Sequence, residues 1–78
     1  MISLELYTRE ECRLCELMRK EIESLAGDQV ELTETDIDGD PALRAAYWDR
    51  VPVLVHEGEV LCFGRLDRER LQAVLSAS

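Results

Sequence analysis

Apolar and polar residues alternate at the start of the chain: Ile2, Leu4 and Leu6 are separated by Ser3, Glu5 and Tyr7. A period of two is the signature of a strand with one buried face, so the pattern predicts a β-strand over Ile2 to Tyr7. The period then lengthens. Leu14, Leu17, Met18, Ile22 and Leu25 follow a helical spacing, which predicts an amphipathic helix whose apolar stripe faces the core. Thr8 and Glu11 are spaced as a capping box, which starts the helix just before Cys12, and Gly27 is a stop signal. Val30 to Asp36 reads as a second strand, polar enough to lie near a sheet edge.

Asp40-Pro41 is an N-cap followed by proline in the first turn, so a short helix is predicted from Pro41 to about Trp48. Tyr47 and Trp48 are expected to close that helix against the core. Val51 to His56 is β-branched and apolar, Glu57-Gly58 reads as a hairpin turn, and Val60 to Phe63 as the returning strand. Gly64 breaks this strand, and Asp67 is placed to cap a last helix carrying Leu71, Val74 and Leu75. The element order is β-α-β-α-β-β-α. Strand-helix-strand units imply parallel pairing and the hairpin adds an antiparallel pair, so the expectation is one α/β domain with a mixed four-stranded sheet flanked by helices.

Composition narrows the function classes. The chain has 78 residues, 46% of them hydrophobic, and a net charge of −8. That size and apolar content suit a single small globular core. An acidic surface repels nucleic-acid phosphates and anionic lipid, and no basic stripe with interleaved aromatics is present, so neither is an expected partner. The longest apolar run, Val51 to Val55, is far too short to cross a bilayer. The opening Met-Ile-Ser-Leu-Glu lacks a secretory pattern, and three cysteines are too few for a secreted disulfide scaffold. A monomer in the reducing cytoplasm is the expectation.

The chemistry centres on Cys12 and Cys15 in Thr8-Arg9-Glu10-Glu11-Cys12-Arg13-Leu14-Cys15. Side chains three residues apart on a helix are neighbours on one face, at a separation of roughly 5–6 Å that a disulfide can close. A helix N-terminus favours a thiolate through its free N–H groups and its dipole. Arg9 and Arg13 favour the thiolate as well, whereas Glu10, Glu11 and Glu16 oppose it. The same spacing is also half of a zinc site, or two incidental thiols. A closed zinc site takes four ligands, and beyond the pair the chain offers Cys62, His56 and carboxylates, with no second C-x-x-C. Redox chemistry is the reading favoured by a C-x-x-C within strand-helix-strand patterning.

Three segments in this order resemble the glutaredoxins of the thioredoxin-fold superfamily, and among them a short bacterial glutaredoxin-like family. Thr8-Arg9-x-x-Cys12-x-x-Cys15 is similar to the glutaredoxin active-site segment. Arg50-Val51-Pro52 is similar to its Thr-Val-Pro loop, and Phe63-Gly64-Arg65-Leu66-Asp67 to its Gly-Gly segment and following aspartate. The resemblance covers essentially the whole chain. It implies a thioredoxin/glutaredoxin-like fold, a cis proline at Pro52 facing the disulfide, and a Val51 backbone that pairs with substrate as a strand would. It also implies a thiol-disulfide oxidoreductase. Cys12 would attack and Cys15 would resolve, with substrate contacts from Arg9, Arg13, Leu14, Arg50, Val51, Pro52, Gly64, Arg65 and Asp67. The substrate would be a disulfide-bearing protein or a glutathione mixed disulfide. No tightly bound cofactor is implied; glutathione or a reductase would supply electrons. The departures from the family are Arg13 and Leu14 in place of proline and an aromatic residue, Arg50 in place of threonine, and Arg65 in place of the second glycine.

Other residues carry simpler readings. Cys62, alternating with Leu61 and Phe63, is expected to be a buried structural thiol, and His56 an exposed histidine beside a turn. Asp36, Asp38 and Asp40 do not make a calcium loop, because the positions needing glycine and a closing carboxylate hold Pro41 and Tyr47. Two alternatives to the enzyme stay open: a non-catalytic binding module on the same fold, and a metal or iron-sulfur carrier using the C-x-x-C pair.

Overall fold

A computed structural model describes residues 1–77. Strand β1 (Ile2–Thr8) leads through helix α1 (Arg13–Ala26) to β2 (Val30–Asp36). Helix α2 (Pro41–Tyr47), the hairpin β3 (Val53–His56) and β4 (Glu59–Phe63), and helix α3 (Arg68–Ala77) follow. Short 3-10 turns at Gly27–Gln29 and Ile37–Gly39 flank β2. The sheet order is β2-β1-β3-β4. β1 runs parallel to β2, from Ile2 opposite Val30 to Thr8 opposite Asp36, and antiparallel to β3, with Tyr7 opposite Val53. The polar β2 lies at the sheet edge, as its composition predicts. The apolar β3 lies inside and is buried from Val53 to Val55.

Alternation sorts the side chains between two faces. Leu4 and Leu6 of β1 and Leu54 of β3 join Met18, Ile22 and Ala26 of α1 and Leu71 of α3 in one cluster. On the opposite face, Tyr7 meets Tyr47 of α2 with ring centroids 5.4 Å apart. Helices α1 and α3 therefore cover one side of the sheet and α2 the other.

The line of α1 that is buried differs from the predicted stripe. Cys15, Met18, Ile22 and Ala26 form it, whereas Leu14 is 46% and Leu17 is 51% exposed. At 3.6 residues per turn, roughly 100° per residue, Leu17 lies on the far flank from that line. Small Cys15 and Ala26 complete the buried face that the leucines were expected to complete.

Helix α1 also starts differently from the capping-box reading. Thr8 is spent in the sheet opposite Asp36. Glu11 adopts a left-handed φ of 55°, a conformation a capping-box residue inside the helix does not take. Cys12 is the N-cap instead. The strand expected from Val51 begins at Val53, because Pro52 has no N–H for the ladder. Asp40 caps α2 as predicted, its Oδ1 accepting from the N–H groups of Ala42 and Leu43 at 3.0 and 3.2 Å. Trp48, expected against the core, is 60% exposed at the end of α2. Asp67 Oδ1 accepts from the Arg70 N–H at 3.1 Å and so caps α3.

Candidate active site

The register that sets Tyr7 opposite Val53, and Val53 opposite Phe63, brings three strand ends to one edge of the sheet. The loop after β1 turns there through Glu11 and delivers Cys12 to the head of α1. Cys12 and Cys15 are joined as a disulfide, with their Cα atoms 5.2 Å apart, within the usual span for such a bond. The Cys15 N–H donates to Cys12 Sγ at 3.1 Å, and the Glu16 N–H donates to the Cys12 carbonyl at 3.2 Å. Cys12 is thus a sulfur N-cap, in the place where serine or aspartate oxygen commonly sits. The two thiols are unequally placed: Cys15 is 4% exposed, while Cys12 is half-buried.

The other predicted residues fall into two groups. Gly64, with φ of 79°, donates its N–H to the Pro52 carbonyl at 2.8 Å. This bond ties the β4–α3 loop to the loop before β3, where the Val51–Pro52 peptide bond is cis. Leu14, Gly64 and Arg65 line one groove beside the disulfide. The Arg50 guanidinium lies over the exposed Phe63 ring, 5.8 Å from its centroid, and Arg13 is exposed at the first turn of α1. Two candidates are otherwise engaged. Arg9 bonds Asp38 at 3.2 Å and donates to the Trp48 carbonyl at 3.3 Å, so it clasps the loop after β1 to the ends of α2. Asp67 is committed to the α3 cap. Leu17, Met18, Glu21 and Leu66 also line the groove. Sequence reading assigned the first two to the core stripe and passed over the others; an apolar excess wider than one helix face was the signal available.

Cys62 is half-buried against the core cluster, less covered than expected. Burial pushes its thiol pKa up, partly opposed by a backbone hydrogen bond from Asp67. A raised pKa keeps the neutral thiol through neutral pH, and the thiolate is the reactive form. With Cys12 and Cys15 both replaced by serine, Cys62 should react with iodoacetamide at pH 7 several-fold more slowly than free cysteine, and its rate should climb only above the usual thiol range of about 8.5. A rate equal to free cysteine would contradict this placement. His56 is partly buried rather than exposed, with Nε2 4.0 Å from the Glu57 carboxylate. Among the described residues, no three His, Cys, Asp or Glu side chains are grouped to hold a metal, and no helix is long and apolar enough to cross a membrane.

The glutaredoxin-like domain family (DUF836) matches residues 3–76. The chain belongs to this family. Uncharacterized protein Rv0508 of Mycobacterium tuberculosis is 30% identical over 81 residues, covering 96% of this chain and 84% of that protein. Protein Ne2328 of Nitrosomonas europaea, solved in solution, is 38% identical with a TM-score of 0.85, over 94% of this chain and 89% of that one. The glutaredoxin-like NrdH-redoxin of Escherichia coli shares the fold, with a TM-score of 0.64 at 22% identity over 86% of this chain and 90% of its own. The glutaredoxin-like domain therefore has a thioredoxin-type α/β fold with a C-x-x-C pair at disulfide distance.

Proposed function

We propose that this glutaredoxin-like domain is a dithiol oxidoreductase that reduces disulfides of proteins or mixed disulfides with glutathione. The observation that carries the reading is the Cys12–Cys15 pair at the head of α1, with Cys12 Sγ accepting the Cys15 N–H. In the reduced protein the same N–H and the helix dipole favour negative charge on Cys12. Glu10, Glu11 and Glu16 are exposed, so water and salt weaken their opposition.

Cys12 thiolate attacks one sulfur of the substrate disulfide. An S–S bond forms between Cys12 and that sulfur, the substrate bond breaks, and the departing thiolate takes a proton from water. Cys15, its proton released to solvent, then attacks Cys12 Sγ. The mixed disulfide breaks, the Cys12–Cys15 bond forms, and the second substrate sulfur leaves and is protonated. Two electrons pass to the substrate. An external thiol, glutathione or the dithiol of a reductase, returns them.

Substrate contacts on this reading come from Arg13, Leu14, Arg50, Gly64 and Arg65, with Val51 and Pro52 offering backbone to an extended segment. Arg9 and Asp67 position loops. The protein acts as a monomer in the reducing cytoplasm. NrdH-redoxin, a glutaredoxin-like protein with a thioredoxin-like activity profile, is a precedent on the same fold. The test is turnover of a polypeptide disulfide with dithiothreitol, glutathione or a thioredoxin reductase as donor. Turnover with at least one donor, lost in Cys12→Ser, is expected; equal rates with and without Cys12 would refute the proposal.

A further inference from the structure

Helix α1 leaves two leucines in water within a turn and a half of the disulfide. Leu14 and Leu17 are 46% and 51% exposed, though burying a leucine fully is worth roughly 1.5–3 kcal/mol. Both face a groove of about 330 Å³ that runs from α1 to the β4–α3 loop, where Leu66 forms the opposite wall. Leu14 lies between the two cysteines, so the groove is continuous with the redox site. Its charges are uneven. The Glu21 carboxylate is held by Arg68 at 3.1 Å, while Arg65 forms no ion pair among the described residues. The groove therefore presents apolar walls and one uncompensated cation in a molecule of net charge −8.

We propose that this groove seats an apolar side chain of the polypeptide flanking the attacked cysteine, with a nearby carboxylate of that polypeptide drawn to Arg65. The proposal rests on the oxidoreductase reading and names its substrate class: an extended protein segment bearing a disulfide, rather than glutathione. Glutathione brings two carboxylates and no large apolar side chain. It would fill little of a leucine-walled groove.

The test uses the reduced protein and synthetic disulfide-linked peptides that differ only in leucine or serine beside the half-cystine. The wild type should reduce the leucine peptide with a kcat/KM about tenfold higher, which corresponds to about 1.4 kcal/mol. In Leu17→Ser that ratio should fall towards one. A glutamate placed beside the leucine should raise the wild-type rate further and lower it in Arg65→Glu. Circular dichroism checks that both variants fold. Equal rates for the two peptides in wild type, or a ratio kept in Leu17→Ser, would overturn the proposal. So would a concentration-dependent dimer of the wild type that Leu17→Ser dissolves, since a second copy would then be the occupant. The neutral bis(2-hydroxyethyl) disulfide separates the two levels of the argument. Its reduction without peptide selectivity removes the groove assignment alone, whereas inertness to every disulfide removes the oxidoreductase reading and the groove with it.

Discussion

Cys12→Ser is expected to lower disulfide reductase turnover on the order of 10³-fold or more, the class of loss that follows removal of a covalent nucleophile. A serine hydroxyl is scarcely ionised at neutral pH and does not attack a disulfide sulfur. Oxygen in place of the sulfur keeps the N-cap, since serine also accepts from the first-turn N–H groups, so the fold should survive. Cys15→Ser should behave differently. Cys12 can still open the substrate disulfide, but the buried resolving sulfur is gone, and a one-to-one mixed disulfide with the substrate should accumulate and be visible as an added mass. The asymmetry follows from the exposure of the two sulfurs, 4% at Cys15 against a half-buried Cys12. Equal trapping by the two single variants would contradict the assignment of roles.

Ile22→Ala is expected to cost about 2–5 kcal/mol of folding stability. Ile22 is fully buried in the cluster that joins α1 to Leu4, Leu6, Leu54 and Leu71. The deletion removes apolar contact and leaves a cavity between a helix and a sheet that cannot collapse freely. Native domains carry about 5–15 kcal/mol in total, and small ones have less core to spend. The urea midpoint should therefore fall sharply with little change in slope. Leu17→Ala, on the exposed flank of the same helix, should change folding stability by no more than about 0.5 kcal/mol. Similar losses at the two positions would mean that the buried line of α1 has been drawn wrongly.

The contrast between these two residues marks how far the sequence could be read. Alternation in Ile2 to Tyr7, the Asp40-Pro41 cap and the β-branched run from Val51 are local signals, and β1, α2 and β3 followed from them. The C-x-x-C pair was equally legible, because its spacing alone brings the sulfurs together. The start of α1 was not. A Thr8–Glu11 box and a Cys12 cap compete for the same residues, and the pairing of Thr8 with Asp36 on another strand decides between them. Which of the apolar residues on α1 meet the sheet depends on helix rotation, which tertiary packing sets. Arg9 is a similar case. Its partner Asp38 lies 29 positions away, and nothing local distinguishes an arginine that clasps loops from one that waits for a ligand. Of the two aromatic residues at the end of α2, Tyr47 meets Tyr7 while Trp48 stays exposed, and nothing local distinguishes them.

The central claim is that Cys12 and Cys15 form a disulfide that opens and closes while the fold stays intact. Equilibrating the native protein in dithiothreitol redox buffers, then counting trapped thiols by mass, tests this most directly. The predicted result is one reversible two-electron transition that adds two labels, at Cys12 and Cys15, with Cys62 unchanged across the series. A pair that opens only when the protein unfolds, or that never forms under oxidising buffer, would contradict it.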